Sequence, residues 1–174
     1  MPKSSLSCAL KAWLVWVVAA SFYSYEFFVR ISPGVMVNNL IQDFGLTDAL
    51  LGNLSAFYYY AYAAMQIPAG LLLDRFGIRR LLTAAAALVA LGCLLFMATQ
   101  AFWVTVLGRV CMGIGSAFSF IGCLKLARNW FAARQLAIVI GLTNTLGVVG
   151  ALTGEAPLAY ILNLFGWRNT LFYA

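Results

Sequence analysis

Gly70-Leu71-Leu72-Leu73-Asp74-Arg75-Phe76-Gly77-Ile78-Arg79-Arg80 places one acid and three bases between two long apolar runs. The upstream run covers residues 50–73 and the downstream run residues 81–98, each near the ~20 residues a helix needs to cross a hydrocarbon core. Working outward, further apolar runs fall at residues 12–29, 102–124 and 136–152. Hydrophobic residues make up 64% of the chain and charged residues 9%, a balance that a soluble domain does not carry. Backbone polar groups in lipid must be satisfied internally, which leaves helices or a closed barrel, and these uninterrupted runs lack the alternation of barrel strands. The sequence therefore predicts an all-α polytopic membrane protein with five spans.

The first run is long and aromatic and ends in charge rather than at a small-residue cleavage site, so it reads as a retained span. Lys3 and Lys11 precede it. Arg75, Arg79 and Arg80 follow the second span, and Lys125, Arg128 and Arg134 follow the fourth, whereas the intervening loops carry only Asp43 and Asp48. The positive-inside rule then puts the N-terminus in the cytoplasm. The formal net charge of +6 is explained by this topology, and no nucleic-acid partner is expected. After the fifth span, Phe165-Gly166-Trp167-Arg168-Asn169 reads as an interfacial patch, and residues 170–174 as the start of a sixth span. The expectation is a truncated bundle, residues 1–174, of a longer polypeptide.

Histidine is absent, and Cys8, Cys93, Cys111 and Cys123 stand singly. No metal site, disulfide framework or cofactor is expected, and the cysteines read as small packing residues. No nucleophile–base pair or clustered acid pair points to an enzyme.

The quoted turn resembles the signature loop of the major facilitator superfamily, G-x-L-x-D-R-x-G-x-R-R, matched by Gly70, Asp74, Arg75, Gly77, Arg79 and Arg80. In physical terms Gly70 would let another helix approach, Gly77 would permit the tight turn, and Asp74 would accept hydrogen bonds at a helix end. Gly108-Arg109-Val110-Cys111-Met112-Gly113-Ile114-Gly115 resembles the family's R-x-x-x-G-x-G pattern in the fourth span. Gly147, Gly150, Gly154 and Pro157 in the fifth only loosely resemble the antiporter pattern, and close helix packing is the preferred role for these glycines. The resemblance covers nearly the whole chain. It implies most of the N-terminal six-helix bundle, five spans plus the start of a sixth, facing a C-terminal half of the same chain across a central cavity. Many members carry an acid near the cytoplasmic end of the fourth span, but here no acid lies between Asp74 and Glu155. Asp74 is therefore expected to pair with Arg75, Arg79 or Arg134, or with a helix terminus of the other half.

Charge inside a membrane is the strongest functional signal, since an arginine at a helix centre costs at least ~2.5–3.5 kcal/mol. Arg30 and Arg109 qualify. The resemblance implies that the first and fourth helices both line the pathway, so the two cations could meet a carboxylate-bearing solute there. Arg30 could instead snorkel or be neutralised by Glu26 one turn earlier. Arg109 has no acid nearby in sequence and needs a partner from another helix or a wet cavity. Glu26 is a candidate proton-coupling group or a static partner of Arg30. Tyr59, Tyr62 and Gln66 share one helical face and are candidate solute contacts, with Tyr58 adjoining Tyr62 at i+4; some of the tyrosines in this span would belong to packing or to the aromatic belt. Asn144 is a candidate contact or a helix-helix bond. Pro33-Gly34 and Pro68 are candidate points of helix kinking or ending.

The segment from Gly52 to Tyr62, Gln66-Ile67-Pro68 and Arg30-Ile31-Ser32-Pro33 are also similar to a subgroup of nutrient transporters in intracellular bacteria, and the broader anion-cation symporter group shares an arginine near position 30. The resemblance implies a secondary transporter in a bacterial inner membrane. It would move a small organic solute, such as an amino acid or organic acid, by alternating access with a proton as co-substrate. An exporter of drugs or siderophores is the rival within transport, and a non-transporting scaffold or sensor the rival outside it. Membrane lipid is the further partner.

Overall fold

A computed structural model describes residues 3–44, 47–98 and 101–165, and these residues are helical with short turns. Helix α1 spans Lys3–Val35 and α2 Val37–Phe44. Helix α3 spans Asp48–Phe76, α4 Ile78–Ala98, α5 Phe102–Trp130, α6 Ala133–Thr153 and α7 Ala156–Phe165. The expected interfacial patch after residue 165, the start of a sixth span, and the side chains of Lys3, Asp43 and Asp48 lie outside the described residues.

Among the described residues, four helical stretches are long and apolar enough to cross a membrane: Ala9–Val35, Ile78–Ala98, Phe102–Trp130 and Ala133–Leu162. The last runs through α6 and α7. The fifth crossing therefore does not stop near residue 152, as the apolar run implies, but continues past a break at Gly154 and Glu155. Pro157 sits in the first turn of α7, where its missing N–H removes no helical bond. Helix α3 is as long as α5, at 29 residues, but its tyrosines, Asn53 and Gln66 lower its hydropathy. It packs along α5, and with it the bundle has five helices of membrane length.

Helix α5 is the hub, lying against α4, α3 and α1, while α6 packs on α1. Small residues set these distances. A Cβ built on Gly108 would lie 2.7 Å from the Gly92 carbonyl oxygen of α4, and one on Gly113 would overlap the Tyr58 carbonyl of α3. Gly147, Gly150 and Gly154 meet Tyr23, Ser24 and Phe28 of α1, which is the packing role expected of them. Trp16 Nε1 adds a hydrogen bond to Thr143 Oγ1, 3.0 Å, between α1 and α6.

The α3–α4 connection is a single residue, Gly77, with φ 84° and ψ 148°. That backbone region is open to glycine and strained for other residues, so the expected tight turn is present. Gly70 behaves otherwise. A Cβ there would meet nothing within 4 Å among the described residues, so no described helix packs on it closely. Pro68 does not end α3, which runs eight residues further, and Pro33 lies two residues before the end of α1.

These contacts give a paired expectation. Gly113→Ala should destabilise the fold by about 1–3 kcal/mol, because the new methyl meets backbone rather than a movable side chain. Gly70→Ala should be neutral or slightly stabilising in thermal unfolding. Equal losses at both positions would contradict the packing described for α3 and α5.

Candidate solute site in the bundle core

Three helices place polar side chains in an apolar interior. Helix α1 presents Glu26 and Arg30 at i and i+4, and α3 presents Tyr58 and Tyr62 at the same spacing. Helix α5 presents Arg109, Met112, Ser116 and Ser119, a run of i, i+3, i+7 and i+10 along one face. Because Gly113 lets α3 approach at Tyr58, that ring is driven between the other two helices and is fully buried.

Glu26 is also fully buried. Arg30 Nη2 donates to its Oε1 in an ion pair, and Tyr58 donates its hydroxyl to the same oxygen at 2.7 Å. Arg30 Nε reaches the Tyr58 oxygen at 3.4 Å, and Ser119 Oγ lies 3.4 Å from Glu26 Oε2. The Arg30 guanidinium also rests over the rings of Phe27, 4.5 Å, and Tyr62, 4.7 Å. Arg30 thus folds inward on Glu26 instead of snorkelling outward, and the pair is closed by hydrogen bonds as well as by charge.

Arg109 is only 1% exposed and has no carboxylate partner among the described residues. Its Nη1 donates to the Val29 carbonyl at 3.2 Å and touches Met112 Sδ at 3.8 Å, while its carbon centre lies 4.7 Å from the Tyr58 ring centroid. Its Nε and Nη2 have no partner among the described residues. Those two nitrogens form one edge of the planar guanidinium, the geometry that grips a carboxylate or another planar oxyanion with two parallel bonds. The cluster of Glu26, Arg30 and Arg109 carries two cations for one anion. An unmatched buried cation is costly unless something negative joins it.

Arg109 borders a small, partly open cleft with Tyr25, Ser32, Pro33 and Cys93, about 20 Å³ in volume. That holds a water molecule and not an organic solute. Binding a solute at Arg109 thus requires the helices to separate or a second wall to complete the cavity.

The remaining candidates divide. Tyr62 joins the cluster through Arg30. Tyr59, 48% exposed, turns away from the core, though its ring meets the Tyr58 ring edge-on. Gln66 is half-buried one turn beyond Tyr62, and its side chain makes no hydrogen bond among the described residues. Asn144 is exposed, because the neighbouring Thr143 is the side chain that α6 turns toward α1. Tyr58 and Ser119 are the members sequence reasoning did not select; the i, i+3, i+7, i+10 face beginning at Arg109 was the available signal for Ser119.

At the far end of the bundle, Asp74 pairs with Lys125 Nζ at 2.6 Å, and that nitrogen also donates to the Gly70 carbonyl at 2.7 Å. The partner of Asp74 is therefore not Arg75, Arg79 or Arg134. Asp74, in the last turn of α3, is thus joined to a base on the last two turns of α5. Arg75, Arg79 and Arg80 are exposed. Asp74 is largely exposed, so the pair adds about 0–1 kcal/mol to stability.

Residues 12–174 match the family described as Major Facilitator Superfamily. Over 156 residues the chain is 25% identical to an uncharacterized transporter, YybO, of Bacillus subtilis, covering 90% of this chain and 36% of that protein. It is 29% identical over 158 residues to the lysosomal dipeptide transporter MFSD1 of Danio rerio, covering 88% of this chain and 32% of the relative. It is 30% identical over 147 residues to the nitrate/nitrite transporter NrtP of Picosynechococcus, covering 84% and 26%. The chain spans about a third of the length of these relatives.

Proposed function

This chain belongs to the major facilitator superfamily, and we propose that it forms the solute-binding wall of a secondary transporter for a small anionic or zwitterionic solute. The observation that carries the reading is the buried Arg109, held on one edge and open on the other, beside a Glu26–Arg30 pair that leaves one positive charge unmatched. A carboxylate or similar oxyanion supplies both the missing acceptors and the missing charge. Two named relatives transport compatible chemistries: nitrate is a planar oxyanion, and a dipeptide carries a terminal carboxylate.

In this reading Glu26 is the proton-coupling group. Protonating it cancels the charge that holds Arg30, which frees a second guanidinium for the solute; solute release and deprotonation restore the closed pair. Tyr58 stands between the two arginines, its ring 5.7 Å from the Arg30 guanidinium and 4.7 Å from that of Arg109, so that a movement of either would displace it. A second bundle would supply the opposing wall, and rocking of the two bundles would alternate access. The chain would lie in a bacterial inner membrane with its N-terminus in the cytoplasm. The basic α3–α4 and α5–α6 turns, which the Asp74–Lys125 pair brings to one end, would be on that same side, where they can contact lipid phosphate.

The test is a solute panel on the full-length protein in proteoliposomes: small carboxylates, amino acids, dipeptides and nitrate against neutral sugars and organic cations. The reading expects uptake confined to the anionic and zwitterionic members. Transport confined to neutral or cationic solutes would overturn it.

A further inference from the structure

Arg109 is held by a backbone carbonyl that lies inside a helix. In an uninterrupted α-helix the Val29 oxygen would accept the N–H of residue 33, but residue 33 is proline and has none. The freed oxygen accepts two other bonds, from Arg109 Nη1 at 3.2 Å and from Ser32 Oγ at 3.1 Å. Val29, Ser32, Pro33 and Arg109 border the same small cleft. We propose that Pro33 is a positioning residue for Arg109: by withholding an N–H it keeps the Val29 carbonyl available. The guanidinium is thereby anchored through Nη1 and Tyr58, with the Nε–Nη2 edge left open for the solute.

The same chain provides an internal comparison. Pro68 also lies within a helix, but its freed carbonyl, at Ala64, captures no side chain among the described residues. Two interior prolines thus have different consequences. One frees an acceptor in the buried core, beside a cation that needs it; the other frees an acceptor next to Ile67, on an exposed stretch of α3.

The positioning role rests on the anion-site reading, but the anchoring bond can be tested without any solute, so the two can fail separately. Thermal unfolding of the full-length protein is measured for Pro33→Ala in the wild-type and Arg109→Met backgrounds, with Pro68→Ala in both as control. Alanine at 33 restores a helical N–H, which then competes for the Val29 oxygen. Without Arg109 nothing is lost, and the repaired helix should raise Tm. With Arg109 present the repair takes away an anchor of a buried cation, so the gain should be cancelled or reversed. The expected gap between the two Pro33→Ala shifts is about 2–3 °C. Pro68→Ala should shift Tm equally in both. Equal Pro33→Ala shifts in the two backgrounds, or a gap no larger than that of Pro68→Ala, would overturn the inference.

Discussion

Arg109→Gln is expected to lower solute uptake by the full-length protein at least ~100-fold while leaving the protein folded and inserted. Two lost charge-assisted hydrogen bonds at about 1.5–3 kcal/mol each already exceed that factor. Glutamine retains a polar head but offers no charge and no rigid two-donor edge. The stability of the empty protein should move in the opposite direction. Arg109 is buried without a counter-ion, so its removal relieves a desolvation penalty, and Arg109→Gln should unfold at an equal or higher temperature than wild type in the absence of solute. Lost uptake together with retained stability would mark a binding residue. Loss of both would reduce Arg109 to a fold-stabilising residue and remove the main support for the site.

Glu26 should behave differently. Glu26→Gln keeps the side-chain shape and one oxygen to accept from Tyr58, with its amide N–H turned to the Ser119 hydroxyl oxygen, but it cannot take up and release a proton. In proteoliposomes carrying an imposed proton gradient, accumulation should be abolished, whereas exchange of internal for external solute should persist. Accumulation equal to wild type would remove Glu26 from the coupling mechanism. Glu26→Ala is the harsher change: it leaves Arg30 buried with no carboxylate, a loss of about 3–5 kcal/mol for breaking a buried pair. Comparing the two separates coupling from folding, since Glu26→Gln should unfold nearer to wild type.

Much of the scaffold was legible in the sequence because its signals are local. Apolar length marked the spans, Gly77 the tight turn, and the i, i+4 spacing of Glu26 and Arg30 their pairing. What escaped depends on helices meeting across the bundle. Four tyrosines at 58, 59, 60 and 62 spread around α3, and nothing in that helix alone says which one faces inward. Gly113 on α5 decides it, because its missing Cβ is the point where α3 comes closest, at Tyr58. Lys125 lies 51 positions from Asp74, so no local pattern could join them. Asn144 looked central by depth along α6, but one residue is 100° of rotation, and Thr143 took the inward position. The fifth span outlasted its apolar run because Glu155 falls at a break between two helices, not at the end of the crossing.

The central claim is that the open edge of Arg109 receives the solute's oxyanion. Equilibrium binding measures this most directly: titrate the purified full-length protein with the carboxylates and nitrate of the panel, for wild type and for Arg109→Gln. Saturable binding to wild type that weakens at least ~100-fold in Arg109→Gln is the predicted result. Equal affinity in the two proteins would contradict it.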